Sequence, residues 1–545
     1  MKIRRLSAIL LAVVMLLGVA ACNGKTEPST TGGSPDGGDN SPTASASAPP
    51  AGGDSPVAAD PGKDTLYIGQ TTALGSFNFG SFGHQPTLMS FVTDFIFDWN
   101  PDTGEIYSRV LSDWHYIDDL TISMTVNQGI TFTNGDPMTA EDVLFTLQSY
   151  TLKGSPFEPT VAWIDFANST VSGDGYELTL KCNYPYSPFI TVQPQPIVSK
   201  KWCEENGWET LDWYNNPCGT GPYKVVEYVA DDHYKFELRD NYWDDASQYP
   251  YKYVVARYYG NASSMYIDLE NGTLDLAVGI NVEDYDRTLA GGNANIAATT
   301  TTGDYFLVQM WNPNGEYTSN PRVRRAIEMA VDWGAIAEMT YGSIAMPSRT
   351  AVPKLNRFYD ASIQTVQYDP EGARQILEEE GIKAGDVKLK ILTTSANETY
   401  ATGLQSYLSE AGITLNIEFM DFMTMQQTLF TSDDPELTNT FGGPAFAHPW
   451  GTLVNTIKAS TTWPQHTFVD DPAYDELTTK IEQTIGDEAL MPLYKQLQEY
   501  VAENNPFTPI AITRAGVAYN TNVISKAIFT NVTEAEYKHI VYAGQ

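Results

Sequence analysis

The sequence has 545 residues, 67 of them Asp or Glu against 32 Lys or Arg, giving a formal net charge of −35. That balance excludes a nucleic-acid partner, which needs basic stripes to neutralise phosphate. A chain this long exceeds what one hydrophobic core holds, so two or three domains are expected.

Residues 1–21 read as an export signal. Lys2, Arg4 and Arg5 form a positive start, and Leu6 to Val19 is almost wholly apolar. The apolar run is too short for a retained membrane helix. Its end, Leu17-Gly18-Val19-Ala20-Ala21-Cys22, resembles a bacterial lipobox, with Val19 where that pattern usually has leucine. The resemblance implies cleavage before Cys22 and a lipid on its sulfur. Residues 22–64 follow as a Gly/Ser/Thr/Pro-rich stretch without an aromatic residue. Such a composition cannot bury enough apolar surface to offset ordering, so a disordered tether spanning about 35 Å is expected. Beyond Cys22 only Cys182, Cys203 and Cys218 remain. Cys203 and Cys218 could be joined outside the cell, leaving Cys182 free, but sparse and odd usage argues against a disulfide framework.

Thr65 to Gly69 reads as a short buried strand, followed by a Gly-bounded loop with Ser76, Phe77 and Asn78. His84 to Trp99 carries Leu88, Phe91, Val92, Phe95 and Ile96 at helical spacing. Trp114 to Phe132 alternates through Leu120, Ile122, Met124 and Val126 like a hairpin. After the turn Asn134-Gly135-Asp136-Pro137, Thr139 with Asp142 three residues on opens a helix to about Tyr150. In Gly219-Thr220-Gly221-Pro222-Tyr223-Lys224 the glycines permit unusual angles and close approach of another backbone, while Pro222 forces Gly221 to be extended. A strand from Tyr223 to Val229 follows. Asn320-Pro321 and Asp369-Pro370 set a capping side chain before a proline at the first helical position, and Gly381 stands where a helix should stop. The helix over 321–333 turns Val323, Ile327, Ala330 and Val331 inward and leaves Arg322, Arg324 and Arg325 on solvated faces. Asp471-Pro472 starts a further amphipathic helix through Tyr474, Leu477, Ile481 and Ile485.

A catalytic apparatus has no anchor in this sequence. It lacks a Gly-x-Ser-x-Gly elbow, a His-Glu-x-x-His helix and a phosphate-binding loop. The six histidines are scattered, with no second His or Cys at i+3 or i+4 of any, and paired acids such as Asp244-Asp245 suit a solvated acidic surface.

Five stretches, taken in order, resemble the solute-binding proteins of peptide-type ABC importers, the extracellular family 5 group. They are Asp119-Leu120-Thr121 through Gly135-Asp136-Pro137-Met138-Thr139-Ala140-Glu141-Asp142-Val143; the Gly219–Tyr223 loop; Asn312-Pro313 with Asn320 to Asp332; Asp369 to Arg374 with Glu380-Gly381; and Asn505-Pro506 with Thr508 to Ile512. The resemblance implies an α/β, bilobal periplasmic-binding-protein-like fold (class II, cluster C type) with a small extra domain in the first lobe. Lobe I should combine 65–100, 216–302 and 516–545; the insert should span 101–215, and lobe II 303–515. Strands near Thr300 and Thr513 would act as hinges. The protein would be a monomeric receptor, without a cofactor, that passes solute to permease subunits served by a separate ATPase. In peptide-binding members an aspartate in a Gly/Pro-rich loop of lobe II pairs with the peptide ammonium. The matching loop here, Phe441 to Trp450, has no carboxylate, and Asp433, Asp434 and Glu436 are the nearest upstream. Ligand contacts are expected at Phe77, Asn78, Trp311, Asn312, Gly442, Pro444, Phe446, His448 and Trp450. The expected solute is a dipeptide or oligopeptide, with an oligosaccharide, a nickel chelate or another small molecule as the alternative. A secreted hydrolase with a dispersed active site is the remaining reading.

Overall fold

Leu66 and Ile68 have no exposed surface, and the strand carrying them, Thr65–Gln70, sits in the middle of a seven-stranded sheet. The computed structural model describes residues 64–78, 88–99, 106–152, 158–190, 195–301, 305–354, 356–420, 422–444, 469, 471–527 and 540–543. The expected signal segment, Cys22 and the expected tether up to residue 63 lie outside them. Thr65–Gln70 runs parallel to Tyr253–Tyr258 on one side and Leu276–Ile280 on the other. A connection that returns a chain in parallel needs a crossover. Helix Ala262–Glu270 supplies it between the last two strands. Antiparallel strands complete the sheet: Gly516–Asn520 and Ile296–Thr300 beyond Leu276–Ile280, and His233–Leu238 and Tyr223–Val229 beyond Tyr253–Tyr258.

A six-stranded sheet takes its strands from residues 305–513, in the order Ala345–Pro347, Phe507–Thr513, Tyr305–Met310, Leu437–Pro444, Lys388–Thr393, Thr414–Phe419. Tyr305–Met310 is antiparallel to both neighbours, and helix Glu398–Glu410 connects the parallel pair Lys388–Thr393 and Thr414–Phe419. A third, antiparallel sheet of four strands lies between residues 111 and 181. The hairpin Leu111–Asp118 and Thr121–Val126 buries Ile122, Met124 and Val126 as the alternation requires, while Leu120 at its turn is exposed. Helix Ala140–Ser149 begins with a reciprocal capping box: Glu141 N–H donates to Thr139 Oγ1, and Thr139 N–H donates to Asp142 Oδ2 at 2.8 Å.

The Gly219–Tyr223 loop meets the chain at 91–94. Gly221 N–H donates to Val92 O at 2.9 Å, and Asp94 N–H donates to Thr220 Oγ1 at 2.9 Å. A Cβ on Gly219 would lie 2.2 Å from Val92 O, and one on Gly221 would lie 2.5 Å from Val92 C. Neither glycine has a positive φ, so close approach rather than unusual backbone angle demands them. The same contact corrects the helix expected over 84–99. Among the described residues the helix is only Met89–Val92; Thr93 is extended, and the Gly loop takes the carbonyl of Val92 that a continuing helix would use. The helix expected over 321–333 also divides, into Pro321–Met329 and Trp333–Tyr341, because the Asp332 side chain accepts from Ala335 N–H and caps the second.

Candidate functional site

The two large sheets meet at matching ends. In the first, Gln70 aligns with Val278, and both Ile280 and Thr300 pair with Gly516, so these residues mark one edge. In the second, Tyr305 pairs with both Pro444 and Thr513. The segments between Thr300 and Tyr305 and between Thr513 and Gly516 join these edges. They begin side by side: Thr301 N–H donates to Ala515 O, and Ala515 N–H donates to Thr301 Oγ1, both at 2.9 Å. Several strands end here at their carboxyl ends: Thr65–Gln70 beside Tyr253–Tyr258, Leu276–Ile280 before helix Val282–Leu289, and Leu437–Pro444. Open α/β sheets place ligands outside the carboxyl ends of their strands, which makes this mouth the candidate site.

The expected ligand residues divide on this frame. Gly442 and Pro444 lie on the strand reaching the mouth, opposite Leu307 and Tyr305. Asn78 lies on the loop after Gln70, its N–H donating to Ser76 Oγ at 3.3 Å. Phe446, His448 and Trp450 lie outside the described residues. Phe77 is instead engaged in the first core, 3% exposed, with its ring edge-on to Tyr234 and Phe236 at 5.2 and 6.2 Å. Trp311 is equally occupied: its Nε1–H donates to Thr508 Oγ1 at 3.1 Å, and its ring packs edge-on against Trp333. Asn312 braces a turn, accepting from Asn314 N–H and Thr318 Oγ1 and donating to Asp434 O. Trp311 and Asn312 follow the end of Tyr305–Met310 remote from the mouth, which is why packing takes both. Cys203 and Cys218, which the sequence allowed to be joined, are buried free thiols, as is Cys182. Cys218 accepts from Thr133 and Asn134, and burial pushes its thiol up to about 11.

Asp434 does not offer itself to a solute ammonium. Lys390 Nζ lies 2.6 Å from its carboxylate, and Glu436 N–H donates to the same side chain. It precedes Leu437–Pro444 at the end away from the mouth, about 25 Å from Pro444 at the usual rise of a strand.

Three supporting side chains escaped sequence reasoning. Arg239, 4% exposed, donates to Gly221 O at 3.3 Å and to Thr131 O at 3.0 Å, and so holds the glycine loop from behind. Arg324, expected in solvent, donates to Asn504 O and Asn505 O and caps the end of helix Asp487–Asn504. Gln309, fully buried, joins Tyr400, Thr438 and Thr440 in one hydrogen-bonded cluster. No local pattern marks these roles, because the partners named here are 18 to 181 positions away. Among the described residues no group of His, Cys, Asp and Glu is arranged to hold a metal, and no helix is long and apolar enough to cross a membrane.

Residues 105–462 match the family described as bacterial extracellular solute-binding proteins, family 5 Middle. The chain belongs to this family. This family 5 protein is therefore an extracytoplasmic solute-binding receptor of an ABC importer and not an enzyme. It is 24% identical to Heme-binding protein A of Haemophilus influenzae over 53% of this chain, a match that spans 56% of the relative. It is 22% identical to Di/tripeptide-binding protein 2 of Pseudomonas aeruginosa over 75% of this chain and 82% of the relative. Its fold is that of the periplasmic binding protein DppA from Helicobacter pylori in complex with peptide STSA, with a TM-score of 0.74 and 20% identity, covering 88% of this chain and 98% of that one. NikZ from Campylobacter jejuni in complex with Ni(L-His) is alike at a TM-score of 0.74 and 18% identity, covering 87% and 97%. These likenesses give the family 5 protein a bilobal α/β fold with an additional antiparallel sheet, seen here in the strands of residues 111–181.

Proposed function

We propose that the protein captures a dipeptide or oligopeptide at the mouth between its two large sheets and delivers it to the permease. The observation carrying this reading is the convergence there of the loop after Gln70 and the Gly442–Pro444 strand end, beside the two links joining the sheets. Thr300 and Thr513 adjoin those links and serve as hinges. Lobe I comprises 65–100, 216–302 and 516–545, the insert 101–215, and lobe II 303–515. Hinged closure over the solute buries it without altering it. Phe446, His448 and Trp450, which follow that strand in sequence, are the aromatic residues assigned to contact the solute. Cys22 carries a lipid that holds the receptor on the outer face of the cell membrane, with residues 23–64 as tether.

A second reading keeps the role and changes the solute to a nickel chelate, an oligosaccharide or another small molecule. It is favoured by the engagement of Asp434 with Lys390, since a buried ammonium without a partner is costly. Native mass spectrometry on protein purified without denaturation separates the two. Retained peptide supports the first reading, a retained metal chelate or sugar the second, and processed products from an added peptide would contradict both.

A further inference from the structure

Gly442, Gly443 and Pro444 form the mouth end of their strand, and this end has little to fix its register. The two glycines offer no side chain to a cross-strand ladder, and Pro444 has no N–H. Strands of this kind slip, and each residue of slip moves the strand end by about 3.3 Å along the sheet. The register is nonetheless single: Tyr305 faces Pro444, Leu307 faces Gly442, and Gln309 faces Thr440.

Gln309 supplies what the strand end lacks. Its Nε2 donates to Thr438 Oγ1 at 2.6 Å and to Asn439 O at 3.1 Å. Its Oε1 accepts from Thr440 Oγ1 at 3.1 Å and from Tyr400 Oη at 2.7 Å. Both amide protons and both lone pairs are thus used, which is the full capacity of a glutamine side chain. Nε2 also lies 3.4 Å from Met310 O on its own strand; three of the five partners belong to Leu437–Pro444, and Tyr400, from helix Glu398–Glu410, holds the amide from behind. Thr438 Oγ1 in turn donates to Met310 O, which ties the strand to its neighbour a second time.

The pattern rejects shifted pairings as well as favouring the observed one. A slip of one residue would exchange Thr438 and Thr440 for side chains of the opposite face. A slip of two keeps the face but sets either Gly442 or Glu436 against the amide. Glycine would remove one of the two donors to the buried amide oxygen, and glutamate would bring a charge into a fully buried site.

We propose that Gln309 is a positioning residue for solute capture, a register lock that sets how far Gly442–Pro444 reaches into the mouth. The solute-affinity part of this proposal rests on the capture reading given under Proposed function; the register part does not.

The test compares full-length wild-type protein with Gln309→Met, which keeps side-chain length and removes the hydrogen bonds, and with Thr440→Val. Hydrogen exchange is followed along Leu437–Pro444 and along Thr414–Phe419 as internal reference. The lock predicts about tenfold faster exchange in the first strand for Gln309→Met, with the reference unchanged. Adding Thr440→Val to Gln309→Met should produce no further acceleration, because the two side chains act as one unit. Equal exchange in wild type and both single variants, or additive effects in the double variant, would overturn the lock. Should Gln309→Met fail to fold, Thr440→Val alone decides by the same readout. Affinity is measured with an equimolar dipeptide and tetrapeptide mixture and, separately, with Ni(L-His). Weakening of about tenfold or more in Gln309→Met, with the thermal midpoint held by Thr440→Val as control, supports the positioning role. Unchanged affinity alongside faster exchange would overturn that role. Wild-type protein that binds none of these probes would count against the capture reading while the exchange result still judges the lock.

Discussion

Replacing Gly221 by alanine is the sharpest test of how this chain is assembled. The added Cβ would lie 2.5 Å from Val92 C, 2.6 Å from Phe91 O and 2.6 Å from Thr93 N. Ordinary carbon contacts lie at about 3.5–4.0 Å, so the two backbones must part by about 1 Å. All three obstacles are main-chain atoms, and no side-chain rotation relieves them. Separation also stretches the Gly221 N–H to Val92 O bond and disturbs Thr220 Oγ1, which donates to Asp94 Oδ2 at 2.9 Å. Overpacking of this kind costs about 3 kcal/mol, with about 1 kcal/mol more for the strained hydrogen bond. Gly173→Ala is the control: its φ is ordinary and nothing lies within 4 Å of the added methyl. That change should be neutral or stabilise by about 0.5 kcal/mol through the unfolded chain. Urea unfolding followed by tryptophan fluorescence reads both. A Gly221→Ala midpoint equal to that of Gly173→Ala would refute the claim that proximity dictates these glycines.

Three further outcomes follow from the packing around Trp311, Glu328 and the buried thiols. Trp311→Phe loses the donor to Thr508 and part of the contact with Trp333, and should destabilise by about 2 kcal/mol while leaving solute affinity unchanged by calorimetry; a large affinity loss at intact stability would return Trp311 to the site. Burial raises the carboxyl of Glu328 despite its bond with Arg349, so its folded value lies above its unfolded one. Its share of stability is then present below the ordinary glutamate value of 4.5 and declines as pH rises through the raised folded value. Glu328→Gln should remove that decline from a pH series of thermal midpoints, and parallel pH curves would contradict the assignment. Burial also pushes the Cys203 thiol up to about 12 and that of Cys182 to about 11. At pH 8 without reductant, the native protein should resist iodoacetamide at Cys182, Cys203 and Cys218, and all three should label once it is unfolded; labelling of Cys182 alone would reveal a Cys203–Cys218 bridge.

Much of the framework was legible because its causes are local. The capping box at Thr139 and Asp142, the prolines after Asn320, Asp369 and Asp471, and the strand after Pro222 each depend on neighbours within a few positions. The expected helix over 84–99 failed for the opposite reason: its apolar spacing is real, but a loop more than a hundred positions away takes Val92 O and Asp94 N–H. The arginines on Pro321–Met329 show the same division. Arg322 is paired at the surface with Glu379 and Glu380, as a solvated face allows, whereas Arg324 is drawn to carbonyls at 504 and 505. For the site, aromatic type alone could not separate Phe77, held in the core by Tyr234, from residues at the mouth. Gln309 was invisible, since a lone glutamine in an apolar strand declares nothing until Tyr400 and Thr440 are brought beside it.

Small-angle scattering during titration with the solute recovered from the natively purified protein addresses the central claim most directly. Capture between two hinged lobes predicts that the radius of gyration falls and saturates at one equivalent, with the solute recovered chemically unchanged. A radius that stays constant at saturating solute, or a solute recovered as cleavage products, would contradict it.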